Sequence, residues 1–475
     1  ELIESGYERG AGLVVFENGK NVFDIVGGYA DIRFEVPWSP NTITPIFGSS
    51  VLPVAFIFGL LKDRNLINES VAVRSYSEKF PSKYLTVAEL LTHMTGYAYP
   101  TDQLSFFDIR DEPDNVVKAL FKKHPTFPSG TPSFHFHTLD LIAGDIVSNV
   151  DIKNRPLARF FLEEIRIFAW LPHAISHMSM QFTLTSSRWA CLPVGSVSYM
   201  NTLRIFYAGL DLHIGSSPTQ MFRIARTYHA HALTFLDAAA RLDLGHLWHR
   251  FFSSGGHRTR AINIFKDYEM LQQQQQLKLI ETIQIIHGAN RAPLVNHSAG
   301  SITEFLYDPQ TRITFDFWYK RYEDLFSVDQ AAQEDARNLR LNYHPDFVEV
   351  PLSSVNFFTN ARALANLLTH LLPKSDPSPL FSESTLQWML SPGSVVHDDP
   401  ILQRSIQYTK SGLFIESSPE GKPIFGLRDD ILGQVAFVDP ARNLTFAYVT
   451  NHAHGCSVKR DWILKTLIQT IYACL

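Results

Sequence analysis

Few side chains of this sequence have the type and spacing that chemistry near neutral pH requires, and two histidines stand out. His135 and His137 are two residues apart, so in an extended segment both would point to the same side. Histidine is the usual general base near neutrality, so either side chain could take a proton from a nucleophile. The three cysteines match neither a Cys-x-x-Cys nor a zinc-ligand spacing. We therefore expect no disulfide framework and no metal site.

The N-terminal part of the chain predicts a strand pair followed by helices. Apolar runs over 13–16 and 22–26 flank Asn18-Gly19, a favoured sequence for a tight hairpin turn. Gly27-Gly28 is expected to break the second strand. Helical spacing of apolar residues predicts three helices. They are expected over 54–66, from an N-cap at Thr86 with Glu89 three residues later, and over 139–150.

The C-terminal part of the chain predicts more strands between two helices. Helical periods are expected over 360–372 and 461–473, and strands over 412–416, 434–438 and 444–450. Strands at both ends of the chain with helices between them indicate one sheet layer built from the two termini. A mainly helical lobe would then be inserted between the two halves of that layer.

Composition excludes several classes of protein. The chain has 475 residues, of which 45% are hydrophobic and 19% charged, so it can bury a large core. A net charge of −5 gives no basic excess for nucleic acid. The longest run without a charge, residues 167–187, is too polar to span a membrane. The chain begins at Glu1 without a methionine, so a mitochondrial and a secreted location both stay open.

Residues 166–208 differ from the rest of the chain. This stretch has no Asp or Glu, three Arg and three of the seven Met. We interpret it as an insertion in the helical lobe, and translation of an intron by an inaccurate gene structure is an alternative origin. On this interpretation residues 1–475 form one domain. Its sheet layer is expected over about 1–75 and 350–475, and its helical lobe over about 76–349.

An ordered set of segments resembles the serine β-lactamase-like proteins: class C β-lactamases, family VIII esterases, D-alanyl-D-alanine carboxypeptidases and the animal LACTB-type branch. The resemblance covers most of the chain and implies an α+β fold of the β-lactamase/DD-peptidase type, in which helices flank an antiparallel sheet. It also implies serine-hydrolase chemistry that needs no cofactor. The similar segments include Gly27-Gly28-Tyr29-Ala30-Asp31, Phe47-Gly48-Ser49-Ser50, Leu90-Leu91-Thr92-His93-Met94-Thr95-Gly96, Pro128-Ser129-Gly130-Thr131, Leu212-His213-Ile214-Gly215 and Phe437-Val438-Asp439-Pro440.

The first catalytic motif of that family, Ser-x-x-Lys, lies at the start of a helix. The serine is acylated and the lysine, one turn later on the same face, takes its proton. The matching segment keeps Ser49 at the nucleophile position but has Leu52 at the lysine position. No serine of the chain is followed by a lysine three residues later. The non-catalytic interpretation of Ser49 is a small residue that caps the following helix.

The second motif of the family supplies a tyrosine that shuttles a proton to the leaving group. Phe134 occupies the tyrosine position and has no hydroxyl group. The histidines beside it, His135 above all, are the candidates for a substitute base acting on Ser49. His93 is expected to satisfy backbone groups at its helix end, as the matching segment does in active relatives.

The third motif, Lys-Thr-Gly or His-x-Gly, binds the carboxylate of the substrate at the strand edge. Leu427 occupies the His or Lys position, and Asp429 and Asp430 replace the glycine-rich turn. Two acidic residues there would repel acidic substrates. Lys410-Ser411-Gly412 looks like an alternative third motif, but its context does not match, and we interpret it as the start of a strand.

These departures favour a protein that has lost serine-hydrolase activity and acts as a binding or scaffold module. The alternative is an esterase or peptidase that acylates Ser49 with a substitute base. An unknown small molecule or protein is the expected partner, and the resemblance to LACTB-type proteins implies self-association as one possibility. Nucleic acid is not expected as a partner, and no transmembrane segment is expected.

Overall fold

The strands at the two ends of the chain form one seven-stranded sheet. The computed structural model describes residues 3, 8–46, 48, 50–98, 106–135, 137–166, 211–215, 223–225, 228–229, 348–373, 379–402, 404–429, 433–453 and 462–475. The strand order is β10-β11-β12-β13-β1-β2-β3, and each neighbouring pair with a resolved register is antiparallel. These strands are β1 (Gly10–Glu17), β2 (Lys20–Asp31), β3 (Val36–Pro37), β10 (Phe414–Ser417), β11 (Pro423–Arg428), β12 (Val435–Asp439) and β13 (Leu444–Thr450).

The predicted hairpin is confirmed, but one detail of it is wrong. Asn18 and Gly19 both have positive φ, as a two-residue hairpin turn requires, and β1 pairs with β2. The second strand does not break at Gly27-Gly28 but continues to Asp31. Gly28 has a φ of +78° and lies so close to the backbone of Arg9 that a Cβ atom would collide with its carbonyl oxygen. Glycine therefore permits close strand approach here instead of ending the strand.

Three small sheets of two or three strands contain the remaining strands of the described residues. One small sheet has the order β4-β7-β5 and is antiparallel. The remaining strands form a parallel pair, β14 with β6, and an antiparallel pair, β8 with β9. Their bounds are β4 (Thr44–Ile46), β5 (Leu212–Ile214), β6 (Tyr228–His229), β7 (Phe357–Thr359), β8 (His397–Asp399), β9 (Arg404–Ile406) and β14 (His452–Ala453).

All five predicted helices are present with shifted ends, and the described residues contain five further α-helices that the sequence did not predict. The helix expected over 54–66 starts three residues earlier and ends at Asp63, and Thr86 caps its helix in a reciprocal pair with Glu89, as predicted. The α-helices are α1 (Val51–Asp63), α2 (Val87–Leu91), α3 (Phe106–Asp111), α4 (Pro113–Phe121), α5 (Thr138–Val150), α6 (Leu157–Phe160), α7 (Ser353–Asn356), α8 (Ala361–Leu368), α9 (Glu383–Leu390) and α10 (Trp462–Cys474).

Both faces of the large sheet are covered by helices. Along β1, Val14 belongs to the large core that includes α1, α5 and α8, whereas Leu13 and Val15 belong to a second core. Ile471 and Tyr472 of α10 lie in that second core. Alternate side chains of a strand point to opposite faces, so the sheet is a layer buried on both sides. The α+β class expected from the sequence is thus the class of the structure.

Candidate active site

The candidate nucleophile, Ser49, lies outside the described residues, as does Phe47. Its neighbours on both sides are described. Gly48 has a φ of +61°, a left-handed conformation that suits glycine, and its N–H donates to the carbonyl of Ser354 at 2.8 Å. Ser50 directly precedes α1. The backbone on either side of Ser49 is therefore fixed by a turn and by the start of a helix.

Ser50 directly precedes α1 and itself has helical φ and ψ, and the capping role of Ser49 stays a prediction because Ser49 lies outside the described residues. Ser50 is fully buried, and its hydroxyl group makes no capping hydrogen bond. The third residue of the helix, which usually offers its N–H to the cap, is Pro53 and has no N–H. Leu52, at the position of the family's lysine, is 0% exposed and belongs to the large core.

Phe134, at the tyrosine position, is packed inside an aromatic cluster. Its ring centroid lies 4.9 Å from that of His93 and 6.0 Å from that of Phe414. Tyr408, which is fully buried, completes the cluster at 4.5 Å from His93 and 5.5 Å from Phe414. The backbone N–H of Phe134 donates to the carboxylate of Asp399 at 2.8 Å. Backbone and ring of Phe134 are both held in place, and the side chain is 1% exposed.

Both ring nitrogens of His135 form hydrogen bonds, one with Ser133 and one with Thr95. Nδ1 lies 2.7 Å from the carbonyl oxygen of Ser133 and so must be the protonated nitrogen. Nε2 then accepts from the hydroxyl of Thr95. Burial lowers the pKa of His135 to about 4, and the hydrogen bond to Ser133 opposes this shift only in part. His135 is a neutral, structurally bonded imidazole, and its backbone N–H donates to Nδ1 of His93 at 2.9 Å.

His137 has a different environment, although the spacing allowed both histidines to share one side. Its Nδ1 lies 3.0 Å from the hydroxyl oxygen of Ser354, the residue whose carbonyl holds Gly48. Complete burial lowers the pKa of His137 to about 3. The sequence left open whether both imidazoles or neither point towards Ser49, and in the structure the two have different hydrogen-bond partners. His137, the less favoured candidate, is the one hydrogen-bonded to the residue that holds the Gly48 turn.

A buried carboxylate that sequence reasoning missed belongs to the same group of residues. Asp140 of α5 accepts hydrogen bonds from the hydroxyl of Ser353 and, at 2.6 Å, from the N–H of Ser354. Burial raises the pKa of Asp140 to about 6, although these hydrogen bonds favour the charged form. A signal was present in the sequence, since Asp140 interrupts an apolar helical run between Leu139 and Leu141.

Leu427, at the position of the family's third motif, is a core residue of β11. It is 2% exposed, pairs with Ala436 of β12 and belongs to the large core. Asp429 follows the strand and is fully buried, and its carboxylate accepts from the side chain of Gln434 at 3.0 Å. Asp430 lies outside the described residues. The expectation that two acids would face a substrate thus does not apply to Asp429, whose carboxylate is used internally.

Lys410 lies at the other end of α1 from Ser50. Its position follows from its effect on Glu69. Burial raises the pKa of the Glu69 carboxyl, but a hydrogen bond from Lys62 and the charges of Lys62 and Lys410 lower this pKa overall. Lys62 is in the last turn of α1 and contacts Glu69 at 2.6 Å. Since α1 has 13 residues at about 1.5 Å each, its two ends are roughly 20 Å apart. Lys410 is thus an exposed residue remote from the turn at Ser50.

The described residues contain no group of three or more His, Cys, Asp or Glu side chains that could hold a metal ion. Among the same residues, no helix combines the length and the apolar character that crossing a membrane requires.

Comparison with known proteins assigns the sequence to a family. The sequence profile of the Beta-lactamase family matches residues 1–340. The chain is 31% identical over 90 residues to the esterase/beta-lactamase LipL of Mycobacterium tuberculosis, and this match spans 21% of LipL and 18% of the chain.

Solved structures with the same fold include a penicillin-binding protein homologue from Caulobacter crescentus and a family VIII carboxylesterase. The TM-score is 0.61 in both cases, at 19% and 17% sequence identity, and each comparison covers 100% of this chain and 95% of the other. The structures therefore agree in fold.

Proposed function

The chain belongs to the Beta-lactamase family, and from this premise we propose that it has lost serine-hydrolase activity and acts as a binding or scaffold module. The family's chemistry needs a base beside the serine, a hydroxyl group at the leaving group and a polar group for the substrate carboxylate. The corresponding side chains are Leu52, Phe134 and Leu427. Each of these three residues carries no titratable group.

The burial of these three residues is the observation that carries the proposal. Leu52, Phe134 and Leu427 are 0%, 1% and 2% exposed and belong to one continuous hydrophobic core. A catalytic site needs its polar groups at a surface that the substrate reaches. Side chains that pack into a core instead stabilise the fold by about 1.5 to 3 kcal/mol each. The substitutions thus do more than remove polar groups, because the replacements have become part of the interior.

The loss of the base alone has a large kinetic consequence. A serine hydroxyl is a weak nucleophile unless an adjacent group takes its proton. Where such units have been dissected, removing the base reduces turnover on the order of 10⁶-fold. His135 does not offer a replacement, because Thr95 donates to its one acceptor nitrogen and Ser133 accepts from the other.

Covalent labelling tests the proposal directly. The protein is incubated with a fluorophosphonate and, separately, with a β-lactam, and its intact mass is compared with that of the Ser49→Ala variant. We expect no adduct on either protein, since no base activates Ser49. An active serine hydrolase treated in parallel shows that the probes react. Ser411→Ala, which changes the serine of the decoy Lys-Ser-Gly segment, is the matched control.

An adduct on the wild type and on Ser411→Ala that is absent from Ser49→Ala would overturn the proposal. It would instead establish an acylating hydrolase with a substitute base. Circular dichroism and a cooperative thermal transition must show that each unlabelled sample is folded, so that the missing adduct reflects chemistry.

We also propose that residues 166–208 are an insertion into the helical lobe. Except for Arg166, these residues lie outside the described part of the chain. Arg166 ends the helical segment after α6, and Asp211 precedes β5. The helical segment Phe161–Arg166, at the N-terminal flank, lies against β5 (Leu212–Ile214), which follows the C-terminal flank. The two flanks therefore meet, as the flanks of an insertion must.

Deleting 167–208 and joining the ends by a short Gly/Ser linker should leave a folded protein. We expect the free energy of unfolding to change by no more than about 1 kcal/mol, because closing a shorter loop costs slightly less entropy. Urea titration followed by circular dichroism measures this. A second variant, with a Gly/Ser linker of unchanged length, separates the effect of length from that of sequence. An unfolded product in both cases would contradict the interpretation as an insertion.

A further inference from the structure

A buried polar network connects α5 to the turn that precedes Ser49. It contains the carboxylate of Asp140, the residues Ser353 and Ser354 at the start of α7, the imidazole of His137 and the N–H of Gly48. All five are buried. The network does not include any of the three positions at which the family's catalytic groups have been replaced. The loss of the catalytic groups therefore does not account for this network.

The hydrogen bonds of the network form a chain with a direction. Asp140 accepts from the hydroxyl of Ser353 and from the N–H of Ser354, and the carbonyl of Ser354 accepts from Gly48 N–H. A carboxylate with both oxygens in use fixes the orientation of the two serines. The orientation of Ser354 in turn decides where its carbonyl points, and so where Gly48 can lie.

Burying the Asp140 carboxylate costs free energy, and this cost indicates that its hydrogen bonds impose a geometry that the protein uses. An ionised carboxylate without water is stable only when it is paired or fully hydrogen-bonded. The main causes that oppose the effect of burial on this pKa are hydrogen bonds from Ser353 and Ser354. An Asp on an otherwise apolar helix face would therefore be expected to destabilise the fold unless the geometry it imposes is used.

From this geometry we propose that Asp140 is a positioning residue that holds the Gly48 turn, and with it the backbone entering Ser49, through Ser353 and Ser354. The Gly48 turn is a left-handed conformation, at a φ of +61°, that is anchored by its N–H. Without the acceptor at Ser354 this N–H would be buried and unpaired, which costs about as much as a lost hydrogen bond. This role does not depend on whether Ser49 is reactive.

The helix itself provides a matched control for this role. Asp145 lies five residues later on α5, is also buried, and accepts from the hydroxyl of Ser77 and from Lys79. These partners, Ser77 and Lys79, precede α2 and are not members of the described network that holds Gly48. A change at Asp145 therefore perturbs a buried carboxylate of the same helix without touching the chain of hydrogen bonds to the turn.

Amide hydrogen exchange measured by NMR on protein labelled with ¹⁵N-glycine tests the proposal. Asp140→Ala should speed exchange of the Gly48 amide about tenfold or more, while the amide of Gly59, inside α1, serves as the internal reference. Asp140→Asn should stay within about twofold of the wild type, because an amide oxygen can accept from Ser354 while its NH₂ group donates to Ser353. Asp145→Ala should leave the ratio of Gly48 to Gly59 unchanged.

A pH titration adds a readout that a merely structural role would not produce. The amide shift of Gly48 should titrate with a midpoint near pH 6, since burial raises the pKa of Asp140 to about 6. Asp140→Asn should abolish this midpoint and Asp145→Asn should keep it. His137 is the other titratable side chain in the described network, and its pKa of about 3 puts its own titration well below this range.

Three outcomes would overturn the proposal. The first is unchanged Gly48 exchange in Asp140→Ala. The second is equal acceleration of Gly48 and Gly59, or the same acceleration in Asp145→Ala, either of which means general destabilisation. The third is a midpoint that survives in Asp140→Asn. If Asp140→Ala does not fold, Ser353→Ala removes one of the two bonds to the carboxylate and should speed Gly48 exchange about threefold, with unchanged exchange again contradicting the proposal.

Discussion

Leu52→Lys, which restores the lysine of the family's first motif, should destabilise the protein by about 4 kcal/mol or more. Leu52 is fully buried in the large core. The substitution removes a packed apolar side chain, which costs about 2 to 5 kcal/mol, and places an ammonium group in a hydrophobic core. Since whole domains are stable by only about 5 to 15 kcal/mol, the substitution should remove a large fraction of the total stability.

Urea unfolding at pH 7 and at pH 9.5 measures this effect and its cause. Burial lowers the pKa of a lysine, so the introduced group should be charged in the unfolded state and resist charging in the folded state. Stability should therefore rise with pH as the unfolded chain loses its proton, and the deficit should shrink at pH 9.5. Leu52→Met, which nearly conserves volume, is the matched control and should cost less than about 1.5 kcal/mol at both pH values.

Wild-type stability of Leu52→Lys at pH 7 would contradict the proposed loss of the site. A lysine at this position could be tolerated only if it reached water or a carboxylate, which would mean that the site is open. Labelling of that variant by the fluorophosphonate would then show whether the first motif alone restores reactivity to Ser49.

Acidification from pH 7.5 to pH 5 should destabilise the protein by about 4 kcal/mol through two buried histidines. Burial lowers the pKa of His135 to about 4 and that of His137 to about 3, from an ordinary value of 6.5. The unfolded chain binds protons below pH 6.5 that the folded protein does not accept. Stability is therefore complete above pH 6.5 and is lost as the pH falls towards 4 and 3, at about 2 kcal/mol for each histidine by pH 5.

Asp140 and His93 also contribute to the acid destabilisation, with opposite signs. The pKa of Asp140 is raised to about 6, so the folded protein takes up a proton that the unfolded chain does not, which contributes about 1 kcal/mol in the opposite direction by pH 5. Burial, with the charges of His135 and His397, holds the pKa of His93 well below its usual value, and this adds to the loss.

Urea titrations at the two pH values, with substitutions at these residues, separate the contributions. Asp140→Asn should enlarge the difference between the two pH values, whereas His137→Gln should reduce it by about 2 kcal/mol. His124→Gln, at an exposed position, should leave the difference unchanged. If His137→Gln leaves the difference as it is, the acid sensitivity comes from other groups.

Local sequence rules predicted most of the sheet layer and its helices. The Asn18-Gly19 hairpin and the Thr86–Glu89 capping pair are decided by residues close together in the chain, so short-range geometry suffices to predict them. The error at Gly27-Gly28 has the opposite cause. Whether a glycine ends a strand or permits close approach depends on the neighbouring strand, which is a long-range property.

The sequence by itself determined that the groups needed for the family's chemistry are missing, because Leu52, Phe134 and Leu427 lack titratable atoms in any conformation. It also indicated the α+β class, through the resemblance of its segments to the family, with which the order of its predicted strands and helices is compatible. Only the tertiary structure decided that these three side chains share one core, and that His135 is bonded to Thr95 and Ser133. It likewise decided that Asp140 is linked to Gly48 through residues more than 200 positions away in sequence. The physical reason is that burial and hydrogen-bond partners depend on distances between segments, and these are set only when the whole chain packs.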